Sequence, residues 1–148
     1  MNKKKLTVLI LFIIGCLLLT YKLGVSFKSD DSLRTKAENK VSLFQDLYNN
    51  LELEKIYDES CDNFQKMTPR DEFLSIMIGK KEVFGRFKHS TLFYTNVINS
   101  KKVALRYRTY YEHYSLIEEF TYNDEGGLCL QGFYIDDSGK LGEVIKLD

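Results

Sequence analysis

The chain has 148 residues, enough for one ordinary domain, and its 44% hydrophobic and 28% charged residues are typical of a folded protein rather than a disordered one. Lysine plus arginine and aspartate plus glutamate both number 21, but five of the positive charges lie before residue 29. Residues 29–148 therefore carry 16 positive and 21 negative charges, a net charge of about −5, which argues against nucleic-acid binding.

The first predicted element is an apolar segment at the N-terminus. Lysines at positions 3–5 precede an uncharged run over residues 6–21, and the apolar character resumes after Lys22 as far as residue 27. As a helix, residues 6–27 would extend roughly 33 Å, against about 30 Å for the hydrocarbon core of a bilayer. We therefore assign residues 1–27 to a signal anchor that crosses the membrane once. The lysines predict that the N-terminus stays inside and that the domain after the anchor lies outside the cytoplasm.

Two other interpretations of this segment stay open. Residues 13–16, Ile-Ile-Gly-Cys, resemble the processing site of a bacterial lipoprotein, in which Cys16 would carry the lipid. The leucines at 17–19 are unlike the small polar start of a mature lipoprotein. Residues 24–26, Gly-Val-Ser, are a weak match to a secretory cleavage site. Under each interpretation, the rest of the chain is exported from the cytoplasm.

The exported part is predicted to be one domain, residues 33–148, after a polar linker at 28–32. Asp31 or Ser32 is a suitable N-cap for the first helix, which we predict over residues 33–51. Apolar residues recur in this helix at intervals of three and four. They are Leu33, Ala37, Val41, Phe44, Tyr48 and Leu51. Residues 53–57 predict a second, short turn of helix.

The clearest helix start in the chain is Thr68-Pro69. Threonine suits the N-cap, proline suits the first helical position, and Asp71 would lie near the positive end of the helix dipole. Apolar residues follow at helical spacing, which predicts a helix over about 69–78 with a continuation toward Phe84.

From residue 86 onward, the apolar period changes from helical to alternating. Strands are predicted over 87–97, 103–111, around Phe120 and Tyr122, and over 128–135, with a short edge strand in the tail 140–148. The fold class is therefore α+β: an N-terminal membrane helix, then a cone of two to three helices packed on a curved four-stranded antiparallel sheet.

This order of elements resembles that of a known family. The first helix, the segment Asp-Asn-Phe at 62–64, the capped helix and a last strand reading Gly-Leu-Cys-Leu-Gln-Gly-Phe-Tyr-Ile over 127–135 are similar to the nuclear-transport-factor-2-like (cystatin-like) cone. In particular, it resembles small exported bacterial domains of uncharacterised function, which implies a place in the bacterial cell membrane with the domain in the periplasm or at the cell exterior. The resemblance covers about residues 33–136. The group often has tryptophan where Leu128 stands here.

Enzymes of the resembling fold work in the open mouth of the cone, with a carboxylate base beside a tyrosine, arginine or histidine. The candidate ligand-binding residues here are Tyr107, Tyr111 and His113, on one face of the second strand. A buried carboxylate beside a tyrosine can have its pKa raised enough to act as a general base. The opposite face carries Arg106, Arg108, Tyr110 and Glu112. The interpretation we favour packs the tyrosines on the helices and leaves the charged face in solvent, so we predict no catalytic residues and no enzyme.

No metal or other cofactor is expected. His113 has glutamates nearby, but Glu118 and Glu119 would point to opposite faces of a strand, and no second histidine is close in sequence. Cys61 and Cys129 are the cysteines of the exported part, and one disulfide or two free thiols are equally consistent with the sequence.

The function predicted from these features is that of a membrane-tethered, extracytoplasmic, non-enzymatic domain. Its sheet would make protein–protein contacts in the cell envelope, with a partner protein or a second copy. Two alternatives remain. One is a small-ligand-binding domain with an apolar pocket inside the cone, and the other is an immunity or inhibitor lipoprotein with lipidated Cys16.

Overall fold

The computed structural model describes Ile14 and residues 30–136, and these residues form an α+β fold. The chain divides into two units, Met1–Ser32 and Leu33–Asp148, and the helices and strands below belong to the second unit apart from residues 30–32. The predicted anchor, except Ile14, and the predicted tail strand lie outside the described residues. No helix within the described part is long and apolar enough to cross a bilayer.

Within residues 30–136, four helices precede the sheet, where the sequence predicts two to three. They are α1, described over residues 30–49, α2 (Leu53–Asp58), α3 (Asp62–Met67) and α4 (Arg70–Phe84). The short helix α3 escapes prediction because it buries a single residue, Phe64, and so has no apolar period to detect.

Helix α1 buries the predicted apolar stripe as far as Tyr48, which confirms that part of the prediction. Its ends differ from the prediction. Residues 30–32 are already helical, so the cap predicted at Asp31 or Ser32 is wrong. At the other end, Leu51 has a φ of 59°, and the N–H of Glu52 donates to the carbonyl of Leu47 at 2.9 Å. This Schellman-type ending turns Leu51 into solvent, although the stripe predicted it to be buried.

Helix α4 begins one residue later than the sequence predicts and continues without a break to Phe84. Pro69, not Thr68, occupies the N-cap position, and its carbonyl accepts the N–H of Phe73 at 3.0 Å. The predicted threonine cap is therefore wrong, although the predicted helix is confirmed. The buried residues of α4 are Phe73, Met77 and Lys80. Phe73 packs against Tyr57 of α2 and Phe64 of α3.

The four strands form one antiparallel sheet, as predicted, and their order in it is β1-β2-β3-β4. They are β1 (Phe87–Ile98), β2 (Lys102–Tyr111), β3 (Ser115–Asn123) and β4 (Cys129–Asp136). Alternate residues of β2 and β3 are buried, and we call the face that carries them the inner face. The inner-face residues include Val103, Leu105, Tyr107, Tyr111, Phe120 and Tyr122. The opposite face is the outer face.

Strand β1 departs from simple alternation. Its pairing with β2 shifts between Phe87 and His89 and again between Leu92 and Tyr94. Each irregularity inserts one residue and reverses the faces that follow. Leu92 therefore packs against the core, whereas Phe93, predicted to share a face with Val97, is exposed.

The connection from α4 to β1 is tied to the turn between β2 and β3. Gly85 has a φ of 77°, and an added Cβ there would lie 2.7 Å from the Cβ of Glu112. The N–H of Glu112 donates to the carbonyl of Arg86 at 3.0 Å, and its carboxylate accepts the N–H of Arg86 at 2.9 Å. The hydroxyl of Tyr48 donates to the carbonyl of Gly85 at 2.9 Å, which joins α1 to the same corner.

A disulfide links Cys61, just before α3, to Cys129, the first residue of β4, with their Cα atoms 5.1 Å apart. The sequence left this pair open between a bridge and two thiols. The N–H of Cys61 also donates to the carbonyl of Leu130 at 2.9 Å. The bridge and this hydrogen bond hold the segment before α3 against the start of β4.

Candidate functional site

Four polar side chains meet inside the protein, one from each of α1, α4, β2 and β3. They are Gln45, Lys80, Tyr111 and Glu118, and we call them the buried polar cluster. Each lies at a position that its element directs inward. Lys80 follows Phe73 and Met77 at intervals of four and three, and Glu118 alternates with Phe120 on the inner face.

The Glu118 carboxylate is the centre of the buried polar cluster. Its Oε1 atom lies 2.7 Å from Lys80 Nζ and accepts the Tyr111 hydroxyl at 2.8 Å. Its Oε2 atom accepts Gln45 Nε2 at 3.1 Å. Lys80 Nζ also donates to Tyr111 Oη at 2.5 Å. Both carboxylate oxygens are therefore satisfied by groups of the cluster itself, as a buried charge requires.

Aromatic rings surround the ammonium group of Lys80. Lys80 Nζ lies 4.5 Å from the ring centre of Tyr48, 4.6 Å from that of Tyr111 and 4.9 Å from that of Phe133. Ring faces attract cations, most strongly where water is excluded. The rings and the Glu118 carboxylate together offset part of the lost hydration of the ammonium group.

Burial shifts the pKa values of Lys80 and Tyr111, two members of the cluster. Desolvation lowers the pKa of Lys80, and the nearby Glu118 carboxylate opposes this shift. Desolvation, followed by the charge of Glu118, raises the pKa of Tyr111 well above its usual value. The side chains of Lys80 and Glu118 are only 2% and 0% exposed, so a substrate would have to displace packed side chains to reach them. The cluster has the composition of an acid–base site without access to solvent.

The structure brings together two of the three predicted ligand-binding residues. Tyr111 belongs to the buried polar cluster, and Tyr107 lies opposite Glu118 in the strand register. Burial raises the pKa of Tyr107 to about 12. His113 is not part of this arrangement: it is exposed in the turn after β2, where its N–H donates to the carbonyl of Phe84 at 3.1 Å. The alternation that placed His113 with the tyrosines ends where the strand ends.

Glu112 also lies outside β2, and its side chain makes contacts in the turn that follows the strand. Its carboxylate accepts the Arg86 N–H and lies 3.2 Å from Lys88 Nζ. These contacts lower its pKa, the backbone hydrogen bond from Arg86 most strongly and the hydrogen bond from Lys88 next. The residue therefore stabilises the connection between α4 and β1.

The sequence did not predict that Lys80, Glu118 and Gln45 form one cluster, although each occupies a position within an apolar pattern. Lys80 shares the helical spacing of the apolar residues of α4, Gln45 adjoins Phe44 on the buried stripe of α1, and Glu118 alternates with Phe120. A charged or amide side chain at an apolar position indicates a buried partner. The sequence does not show which partner each one meets.

A cleft bordered by α1, α2, β3 and β4 is a candidate for a ligand pocket. Its volume is about 20 Å³, room for a single water molecule rather than the several hundred Å³ typical of ligand sites. Lys40 and Glu59 on its border form an ion pair at 2.8 Å. Within the part of the chain that the structure describes, no group of three or more metal-binding side chains comes together.

The outer face of the sheet presents a row of four side chains at one level, one from each strand. The row consists of Tyr94, Arg106, Glu119 and Tyr134, and we call it the outer-face row. Arg106 Nε lies 2.5 Å from the Glu119 carboxylate, and its guanidinium carbon lies 5.4 Å from the ring centre of Tyr94. Tyr134 is 61% exposed.

Gly132 allows Tyr134 to lie flat on the outer face. A Cβ at Gly132 would lie 2.8 Å from a ring carbon of Tyr134. The tyrosine ring therefore covers the glycine backbone and keeps its other side open to solvent.

No protein-family model matches the chain, and no curated protein matches it at a significant level. The function must therefore be inferred from the arrangement of its own residues.

Proposed function

We propose that the chain is a membrane-tethered, extracytoplasmic, non-enzymatic domain that binds a protein partner through the outer face of its sheet. One contrast carries the proposal. The polar groups of the buried polar cluster are paired with one another, whereas the tyrosines of the outer-face row are exposed. Of these two sets, the outer-face row is the one that another molecule can reach without displacing packed side chains.

Two independent features support a place outside the cytoplasm. The N-terminal pattern of lysines followed by the apolar run 6–27 is that of an export signal. The Cys61–Cys129 disulfide is typical of an oxidising compartment. We propose the bacterial cell membrane, with residues 1–27 as a single span.

The chemistry of the outer-face row favours a protein as the partner. Tyrosine and arginine are among the residues most enriched at the energetic centres of protein interfaces. Arg106 is already neutralised by Glu119, so the row has no unbalanced positive charge to attract a polyanion. A partner surface with apolar contacts and hydrogen-bonding groups fits a row of this kind.

Site-specific photo-crosslinking of the full chain in its native membrane tests the proposal. A photoreactive amino acid replaces Tyr94, which lies on the outer face, and in a matched control replaces Ser75, which is exposed on α4. The expected result is one discrete adduct from position 94, with the mass of this chain plus a different protein rather than that of two copies of this chain, and none from position 75. A second substitution, Tyr134→Ala, is expected to weaken the adduct at least about tenfold, because the tyrosine would lie in the same interface.

Equal adducts from positions 94 and 75 would contradict the proposal, as would an adduct that Tyr134→Ala leaves unchanged. The absence of any adduct from position 94 would also contradict it.

A further inference from the structure

Among the strands that the structure describes, β1 is at an edge of the sheet and is the longest of the four. It spans 12 residues, and it pairs with β2 on one side. At the other edge, the N–H of Cys61 bonds to the carbonyl of Leu130, so the start of β4 is covered by the segment before α3. An edge strand directs alternate N–H and C=O groups away from the sheet, where they can bond to another strand.

Strand β1 has edge protection only near its start, where Lys88 is charged and the two irregularities between Phe87 and Tyr94 bend the strand. Edges are commonly blocked by charged side chains or proline. Residues 89–100 contain no aspartate, glutamate, lysine, arginine or proline, in a chain that is 28% charged. Phe93, Tyr94 and Ile98 on this strand are 54%, 46% and 44% exposed. The part of β1 after Lys88 is a neutral segment rich in apolar and β-branched residues, which is well suited to pairing with another strand.

The irregularities in β1 leave a straight segment near its end. After the shift between Leu92 and Tyr94, residues 94–98 pair with β2 in five successive positions without a break. A regular segment of this length presents its outward backbone groups in the spacing that a further antiparallel strand needs.

We propose that β1 pairs in the antiparallel direction with β1 of a second copy of this chain, which forms a two-fold symmetric dimer with a continuous eight-stranded sheet. The charge pattern favours a second copy over another protein. When a strand pairs with itself about a two-fold axis, residues oppose their symmetric counterparts, and like charges that face each other are unfavourable. A self-pairing strand must therefore be free of concentrated like charge, which residues 89–100 are, while an edge for a different protein gains from a complementary charge.

This dimer does not depend on the proposed partner of the outer face. The edge uses the backbone of β1, whereas the outer-face row uses side chains from all four strands. Either interface can fail while the other stands, and their experiments have different readouts.

Charge placed at the centre of the straight segment tests the dimer. Asn96 is exposed and is the middle residue of 94–98, so a β1–β1 pair centred on this segment brings the two Asn96 side chains together. We expect the full chain in mild detergent to be a dimer by light scattering after gel filtration. Asn96→Lys and Asn96→Glu, each alone, should weaken self-association at least about tenfold.

A mixture of the two variants provides the decisive measurement. Asn96→Lys and Asn96→Glu in equal amounts should restore a dimer that contains one chain of each, because opposite charges then face each other. Recovery on mixing also shows that both variants are folded. The control Ser75→Lys adds the same charge on the exposed surface of α4 and should remain dimeric.

A monomeric wild-type chain would overturn the proposal without reference to any variant. Persistence of the dimer in both charged variants would place the interface elsewhere and overturn it as well. Dissociation of the Ser75→Lys control to the same extent would show a general effect of charge, which would also contradict pairing through β1.

Discussion

Lys80 and Glu118 carry opposite charges inside a protein core, and this pair is the most consequential feature at the scale of single residues. Removing one partner of a buried ion pair leaves the other charge buried and uncompensated, which costs far more than the pair itself contributes. The pair is held by α4 and β3, and the hydroxyl of Tyr111 joins both groups. Its strength therefore depends on three elements at once.

We predict that Lys80→Met lowers the free energy of unfolding by about 3–5 kcal/mol, because Glu118 loses its counter-charge. Adding Glu118→Gln to this variant should recover part of the loss, since glutamine retains acceptor and hydrogen-bonding capacity without the buried charge. Urea unfolding followed by circular dichroism measures both. Lys66→Met, at an exposed position of α3, serves as control and should change stability by about 0.5 kcal/mol or less.

A double variant no more stable than Lys80→Met alone would contradict the pairing. So would a Lys80→Met variant as stable as the control.

At the residue scale, the sequence predicted the burial of Tyr107 and Tyr111 and the opposite faces of Glu118 and Glu119, all of which the structure confirms. It did not predict that Lys80 would meet Glu118. Periodicity assigns a residue to a face of its own element, but the meeting of α4 with β3 depends on tertiary packing. His113 was misplaced because nothing in the sequence marks the exact end of β2.

At the scale of elements, two glycines of the same region of the chain have opposite roles. Gly85 ends α4 with a φ of 77° and a ψ of −154°, a conformation available essentially to glycine alone. Gly79 lies within α4, and an added Cβ there meets no atom within 4 Å. The backbone therefore requires glycine at position 85 but not at position 79.

We predict that Gly85→Ala lowers the free energy of unfolding by at least about 1–3 kcal/mol, through backbone strain and the clash with Glu112. Gly79→Ala should raise it by about 1 kcal/mol, because alanine has the higher helix propensity. Thermal and urea unfolding of both variants check the signs. Equal effects of the two substitutions, or a neutral Gly85→Ala, would contradict this account of the corner.

Elements with strong periodicity were predicted best. The alternation of β2 and the stripe of α1 are long enough to identify the element and its buried face, and both are confirmed. The shifts in β1 were not predictable, because each depends on how β1 fits β2 rather than on residues such as glycine that often mark a bulge. The six-residue α3 is held by its neighbours, with the disulfide directly before it.

At the scale of the whole molecule, the disulfide joins two cysteines, Cys61 and Cys129, that lie 68 residues apart in the sequence. In the chain-entropy description, closing a loop of this length in the unfolded chain stabilises the fold by about 4 kcal/mol. A stable bridge of this kind persists in an oxidising compartment. Together with the N-terminal lysines and apolar run, it supports the export on which the proposed function depends.

The most direct test of the proposed export is to determine on which side of the membrane the domain lies. Ser75→Cys places a thiol on the exposed surface of α4, where a membrane-impermeant maleimide can reach it. We predict that intact cells stripped of any outer barrier label this cysteine as completely as lysed cells do. Labelling that appears only after lysis would place the domain in the cytoplasm and contradict the account.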